Sequence, residues 1–346
     1  MRGSPRRRAR RRSTAGEASR EPARSIRPAR SRGGGPGRTF HRAADAPAAG
    51  AGAGTVATAM PELPEVETMR SGLAAVVGRR IESVEVPRGR LRPIAMRPSA
   101  RSLAARLKGR RIGGVERHGK RISILIDGLP GTQRRWLVIE PRMTGLLLVA
   151  EPPTAEHVRL RLRFSGRDRG ELIFWDRRGL GTVRLLDAAG LERACGPESL
   201  GPDALEISPD ALRERLGRSS REVKVALLDQ RAVAGIGNLY AAEMLFVAGI
   251  DPRTRCCRMG RARWHRLHAA MQEVLAEAVR LEGSTLSDAT YRTALNEPGR
   301  YQMRHRVYGR DGLPCGECGD RIRRIVQAQR STFFCPRCQR RSRGAA

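Results

Sequence analysis

Four cysteines stand in two pairs, Cys315-x2-Cys318 and Cys335-x2-Cys338, with sixteen residues between the pairs. Each pair can give two thiolates to one corner of a tetrahedral zinc site. A pair of redox CxxC motifs would be the other use of such spacing, but no strand–helix–strand context surrounds these cysteines. The segment holds few apolar side chains, so one structural Zn2+ is expected to supply much of its folding energy. Residues 322–334, between the pairs, are expected to form a hairpin carrying Arg323, Arg324 and Arg330, with Arg321 just before it. Cys195, Cys256 and Cys257 are read as ordinary thiols.

A second group with chemistry is the run Met60-Pro61-Glu62-Leu63-Pro64-Glu65-Val66-Glu67-Thr68. Inside a chain, a proline nitrogen is a tertiary amide with no usable lone pair. At a free amino terminus it is a secondary amine, able to form Schiff bases with sugar carbons. An α-amino pKa near ~8 leaves part of it as free base at neutral pH. Initiator Met is readily removed before proline, so a chain starting at Met60 would expose Pro61, with Glu62 beside it to move protons. The plain alternative is a helix start, with proline and acids in the first turn. Lysine adds a hint: only Lys108, Lys120 and Lys224 stand among 67 basic residues. Lysine can lose its proton when its pKa is depressed, whereas arginine cannot.

The elements that must position these groups follow from composition and pattern. The chain has 346 residues, 35 acidic residues against the 67 basic ones, a net charge of +32 and 40% hydrophobic residues. That allows two or three domains with real cores. The longest apolar runs, such as 146–150, are too short to span a bilayer, and the charge points to polyanionic partners. Residues 1–59 carry fourteen arginines, three acids and no apolar periodicity. They fit a disordered basic tail, a transit peptide, or an extension absent from the working protein. The chemistry of Pro61 favours the third. Without them 53 basic residues face 32 acidic ones, a net charge of +21.

From Pro64 a helix is expected, with Val66, Met69, Leu73 and Val76 at helical spacing and Gly78 as a C-terminal cap. Strands are expected around Ile81–Val86 and over 122–126, 136–139, 146–149, 158–164, 171–175 and 182–186. In 158–164 apolar residues alternate with Arg159, Arg161 and Arg163, giving one core face and one basic face. Past Pro197 the period becomes helical over 209–216, 221–229, 238–248 and 261–282. Gly235 and Gly237 allow a tight turn, and Asn238 suits a helix N-cap whose N–H groups could meet phosphate.

The sequence resembles the formamidopyrimidine-DNA glycosylases. The resemblance rests on residues 60–68, on Gly235-Ile236-Gly237-Asn238-Leu239-Tyr240-Ala241-Ala242-Glu243, on Ala248–Pro252, on Val307-Tyr308-Gly309-Arg310, on the four cysteines, and on Gln329–Cys335. It implies an α+β multidomain protein. An antiparallel β-sandwich (60–190) precedes a helix–two-turn–helix domain (191–300) and a zinc-finger hairpin (305–341). It also implies a bifunctional glycosylase and abasic-site lyase for oxidised purines in double-stranded DNA. In that resemblance Pro61 is the nucleophile and Glu62 the adjacent acid/base. Lys120 promotes β-elimination, and Arg330 serves δ-elimination and phosphate contact. Met143 and Leu180 fill the vacated base stack, Arg178 reads the orphaned cytosine, Lys224 lies near the lesion, and Asn238 contacts DNA.

The sequence departs from the family pattern at three places. Glu140-Pro141-Arg142 replaces His-Leu-Gly, putting an acid where a histidine contacts phosphate, with Arg142 nearby as a substitute. Arg178-Gly179 replaces a double arginine, with Leu180 in place of phenylalanine. Ala155-Glu156-His157 loses a first histidine. Two other functions stay open. One is an endonuclease VIII-like preference for oxidised pyrimidines, which Leu63 disfavours because that group usually carries glycine there. The other is a non-catalytic zinc-containing DNA-binding protein, which follows if Pro61 remains an amide. A monomer in the bacterial cytoplasm, at the nucleoid and without membrane contact, is the expected state.

Overall fold

The computed structural model describes residues 60–87, 91–127, 133–166 and 169–340, and the expectations for residues 1–59 lie outside the described residues. The helix expected at Pro64 is α1 (Leu63–Gly72), with Pro64 and Glu65 in its first turn. Proline loses no helical hydrogen bond there, and an acid meets the positive end of the helix dipole. A 3-10 turn, Leu73–Val76, continues it, and Gly78 closes the segment at φ +81.

Nine strands follow among the described residues: β1 (Ile81–Glu85), β2 (Ala95–Arg97), β3 (Arg111–His118), β4 (Arg121–Asp127), β5 (Arg135–Glu140), β6 (Gly145–Leu148), β7 (Val158–Phe164), β8 (Glu171–Asp176) and β9 (Thr182–Leu186). They form a four-stranded sheet, β1-β7-β8-β6, and a five-stranded sheet, β2-β9-β5-β4-β3. Apolar residues of both sheets and of α1 share one core, so the expected sandwich is present. It is antiparallel except at its edge, where β2 runs parallel to β9. The basic face expected on β7 is neutralised locally. Arg161 pairs with Glu171, Arg163 pairs with Glu85, and Arg159 is buried with its Nε donating to the Asp176 carbonyl.

Two helices escaped the sequence pattern: α2 (Ala100–Leu107) and α3 (Ala188–Cys195). Four others stand where expected: α4 (Pro209–Leu216), α5 (Val223–Leu227), α6 (Asn238–Val247) and α7 (Arg261–Arg280). They build a second core that the finger residues Cys315, Ile322, Phe333 and Cys335 join. The finger hairpin is β10 (Arg323–Gln327) and β11 (Arg330–Phe334). Among the described residues no helix is long and apolar enough to cross a membrane.

Helix α1 bridges the two cores. Leu63 is buried in the helical core, while Val66, Met69 and Leu73 are buried in the sandwich. Full burial of each is worth about 1.5–3 kcal/mol. An ion-pair cluster fixes the same junction: Arg117 on β3 meets Glu67 of α1 at 2.8 Å and Asp203, which precedes α4. The residues just before α1 therefore lie at the seam between sandwich and helices.

Candidate active site

A cavity of about 600 Å3 opens at that seam. Pro61, Glu62, Lys120, Met143, Asn238 and Arg330 all line it, although they come from five separate stretches of chain. Lys120 is delivered by a two-residue turn, Gly119-Lys120, closed by the pairing of His118 with Arg121. Arg330 is delivered by the finger hairpin, whose turn residues Ala328 and Gln329 have φ +44 and +62. Those left-handed angles match the twist of a two-residue hairpin but strain residues other than glycine.

Glu62 is buried in the wall of the site, only 4% exposed. Its Oε1 accepts from the Leu239 N–H at 2.9 Å and its Oε2 from the Tyr240 N–H at 3.3 Å. The carboxylate thus occupies the N-terminus of α6, where the dipole favours a negative charge. Glycine at position 237 makes this fit possible, since a Cβ there would lie 2.1 Å from the Glu62 carboxyl carbon. Gly235 serves the turn itself, at φ +102, with its carbonyl accepting from the Leu63 N–H at 3.0 Å. The expected roles need correction on two points. Gly237, not Asn238, is the N-cap residue of α6, and two of the helix N–H groups expected to meet phosphate are taken by Glu62.

Burial raises the Glu62 pKa against the opposing pull of the Lys120 charge and the backbone N–H groups. Burial lowers that of Lys120, with Glu62 and Glu65 opposing. Both shifts run in the direction that favours proton transfer near neutrality, the carboxyl upward and the amine downward.

Glu65 is a site residue that sequence reasoning missed. It is 3% exposed and accepts three hydrogen bonds: from the Glu62 N–H at 3.0 Å, the Tyr240 hydroxyl at 2.5 Å and the Ser284 N–H at 2.8 Å. It orients the peptide that follows Pro61. Burial, and next the Glu62 charge, push its pKa up to about 7. A raised carboxyl pKa gives stability that is complete below the unfolded value of 4.5 and lost as pH rises to about 7. Glu65→Gln is therefore expected to flatten the fall in stability between pH 4.5 and 7. Denaturant titrations at pH 5 and pH 7.5 read this, and an unchanged difference between the two would contradict it.

The remaining predicted residues are placed as follows. Lys224 lies behind the cavity, 1% exposed, with Nζ donating to Asn238 Oδ1 at 2.5 Å, Thr332 Oγ1 at 2.8 Å and the Ser331 carbonyl at 3.2 Å. All three of its donors are used, so it ties α5 and α6 to the finger and does not face the lesion space. Burial lowers its pKa to about 7. Arg178 and Leu180 stand outside the cavity, on the turn between β8 and β9. Buried Asp176 holds that turn beside Met143, accepting from Thr144 Oγ1 at 2.5 Å and the Gly181 N–H at 2.8 Å. Gly179, a departure from the expected arginine, is left-handed at φ +63. A Cβ there would meet the Arg92 carbonyl at 2.8 Å.

The four predicted zinc ligands converge. Their sulfurs all lie within 4.8 Å of one another, with Cys318–Cys335 at 3.4 Å and Cys315–Cys338 at 3.8 Å. Tetrahedral coordination at Zn–S of ~2.3 Å places sulfurs about 3.8 Å apart, so the donor set fits one zinc ion. Gln327 Nε2, donating to Glu222 at 2.6 Å, and Gln339 Nε2, donating to the Ile250 carbonyl at 2.9 Å, dock the finger on the helical core.

Comparison with known proteins covers the same segments. Residues 60–183 match the family model for the formamidopyrimidine-DNA glycosylase N-terminal domain, 196–290 the H2TH domain of the same enzymes, and 312–341 a zinc finger found in FPG and IleRS. A formamidopyrimidine-DNA glycosylase of Chloroflexus aurantiacus is 42% identical over 287 residues, covering 81% of this chain and 98% of its own length. A Lactococcus lactis FPG variant solved with Fapy-dG-containing DNA superposes with a TM-score of 0.71 at 33% identity, covering 81% of this chain and all of its own. The wild-type Lactococcus lactis protein has also been solved with DNA containing an oxidised pyrimidine. It gives a TM-score of 0.70 at 32% identity, over the same shares of both chains.

Proposed function

We propose that this chain, which belongs to the formamidopyrimidine-DNA glycosylase family, is a bifunctional DNA glycosylase and abasic-site lyase. Its substrates are oxidised purines, 8-oxoguanine and formamidopyrimidines, in double-stranded DNA. One observation carries this assignment: Pro61, Glu62, Lys120 and Arg330 line a single cavity. The units divide the work as 60–190 for chemistry, 191–300 for DNA grip and 305–341 for the zinc finger, with the protein acting on DNA in the cytoplasm.

The flipped nucleotide enters the cavity. The Pro61 nitrogen lone pair attacks C1′, and the bond from C1′ to the base breaks with its electron pair leaving on the base, which takes up a proton. Glu62 gives its proton to the ring oxygen as the sugar opens, leaving an iminium between Pro61 and C1′. Lys120, its pKa lowered by burial, removes a proton from C2′, and the 3′ phosphate leaves. A second elimination expels the 5′ phosphate, whose charge Arg330 meets. Water then releases the sugar fragment and restores the amine. Met143 and Leu180 fill the vacated stack, and Arg178 faces the orphaned cytosine. Bound zinc supplies folding energy to the finger that holds Arg330.

Pro61 must be the first residue for this chemistry. The family match beginning at Met60 supports that reading, and with it the absence of residues 1–59 from the working enzyme. Matched duplexes test the substrate class. With 8-oxoguanine or formamidopyrimidine opposite cytosine, cleavage leaving phosphate on both ends is expected at least tenfold faster than with an oxidised pyrimidine. The reverse order would make the pyrimidine activity primary, an alternative kept open by the oxidised-pyrimidine complex of the Lactococcus lactis protein.

A further inference from the structure

The acid at the mouth of the cavity has no part in the chemistry above. Glu140 ends β5 and lies between two arginines that also line the cavity. Its Oε1 is 3.3 Å from Arg142 Nε and its Oε2 is 3.8 Å from Arg121 Nε. Both pairs are long and use Nε, so the terminal nitrogens of Arg142 keep their donors for another partner, while Arg121 also donates from Nη1 to the Ala194 carbonyl and meets the Cys195 side chain. Glu62 and Glu65, the other acids of the cavity, are buried and hydrogen-bonded to backbone N–H groups. Glu140 is 18% exposed and faces cations.

Arg142 is itself unusual. It is 54% exposed and left-handed, at φ +57, a backbone conformation that glycine adopts without strain and arginine does not. A strained cation at the rim of a cavity that takes a nucleotide is placed to meet the phosphate beside that nucleotide. Arginine binds phosphate and carboxylate with the same fork of donors.

Resting on the assignment of the cavity to a DNA lesion, we propose that Arg121 and Arg142 form a phosphate site for the lesion strand and that Glu140 is its built-in competitor. With Glu140 charged, the trio carries one net positive charge; without that charge it carries two. Over residues 60–346 basic residues outnumber acidic ones by 53 to 32, so grip on DNA is abundant and release is what an acid here would favour. Glu140 weakens the hold on the phosphate and lets cleaved product leave.

The test is equilibrium binding of the form that begins at Pro61 to a duplex with an uncleavable tetrahydrofuran abasic analogue, across a salt series. Glu140→Gln is expected to bind about 3- to 10-fold tighter and to release product correspondingly more slowly. Arg142→Gly is expected to bind about 3- to 10-fold more weakly, with the slope of log K against log salt reduced by roughly 0.9, and to melt no lower than the parent because the strain is gone. Unchanged or weaker binding by Glu140→Gln overturns the competitor role. An unchanged salt slope in Arg142→Gly overturns the phosphate site. Borohydride trapping of the parent chain beginning at Pro61 reports the chemistry separately. An adduct with unmoved affinities sinks this inference alone. No adduct with shifted affinities sinks the glycosylase assignment and leaves a DNA-phosphate site.

Discussion

Glu62→Gln, in the form that begins at Pro61, is expected to lower single-turnover excision of 8-oxoguanine by about 10²–10⁴-fold, the range a positioned general acid provides. The substitution keeps the volume that Gly237 accommodates, and the side-chain oxygen can still accept from the Leu239 N–H. Folding should therefore survive, and what is lost is the proton. Burial raises the pKa of Glu62, which enlarges its protonated fraction at any given pH. The parent rate should fall as pH rises through that raised pKa, and the variant should lack this fall. Cleavage of a preformed abasic site depends on Lys120 and should drop no more than about tenfold. Equal losses on intact and abasic substrates would show that Glu62 is structural.

Zinc removal is expected to have the second large effect. Apparent zinc-binding energies of about 10–16 kcal/mol in small fingers match or exceed the whole stability of a typical domain, about 5–15 kcal/mol. Cys335→Ser should therefore unfold the finger locally. Arg330 then leaves the cavity, and Lys224 loses Ser331 and Thr332, two of its three partners. Strand incision is expected to fall at least about 100-fold. The sandwich keeps its own core, so near-native strand content should persist in circular dichroism. Metal analysis should give one zinc per parent chain. A zinc-free protein that cleaves abasic DNA at the parent rate would contradict this role for the finger.

What was legible in the sequence was local. Helices α4 and α7 begin where the 3.6-residue period places them, whereas α6 is buried all round and is marked by Gly235 and Gly237 just before it. The cysteine spacing carried the metal site, and the peptide Pro61-Glu62 pointed to the cavity for which the covalent chemistry is proposed. The missed strands lacked local signals, and the missed helices α2 and α3 span only eight residues each. β3 holds Gly113 and Gly114 at a bulge after Ile112, β2 has three residues, and α2 buries only Leu103 and Leu107.

The site relations that escaped notice are long-range. Glu65 is 175 residues from Tyr240 in the chain, and its first-turn position in α1 gave it an ordinary explanation. The residue type of Asn238 suits an N-cap, but Gly237 holds that position. The carboxylate that meets the α6 N–H groups comes instead from Glu62, 177 residues from Leu239. Burial and three hydrogen bonds hold Lys224 toward the finger, through partners as far as 108 residues away.

The central claim is that the amine of Pro61 carries the covalent chemistry. Borohydride trapping on a duplex with 8-oxoguanine opposite cytosine tests it most directly, comparing the full chain with the form whose first residue is Pro61, followed by peptide mapping of any adduct. The account predicts a covalent adduct only with the Pro61 form, mapped to Pro61 itself. An adduct of equal yield with the full chain, or one mapped to Lys120 or Lys224, would contradict it.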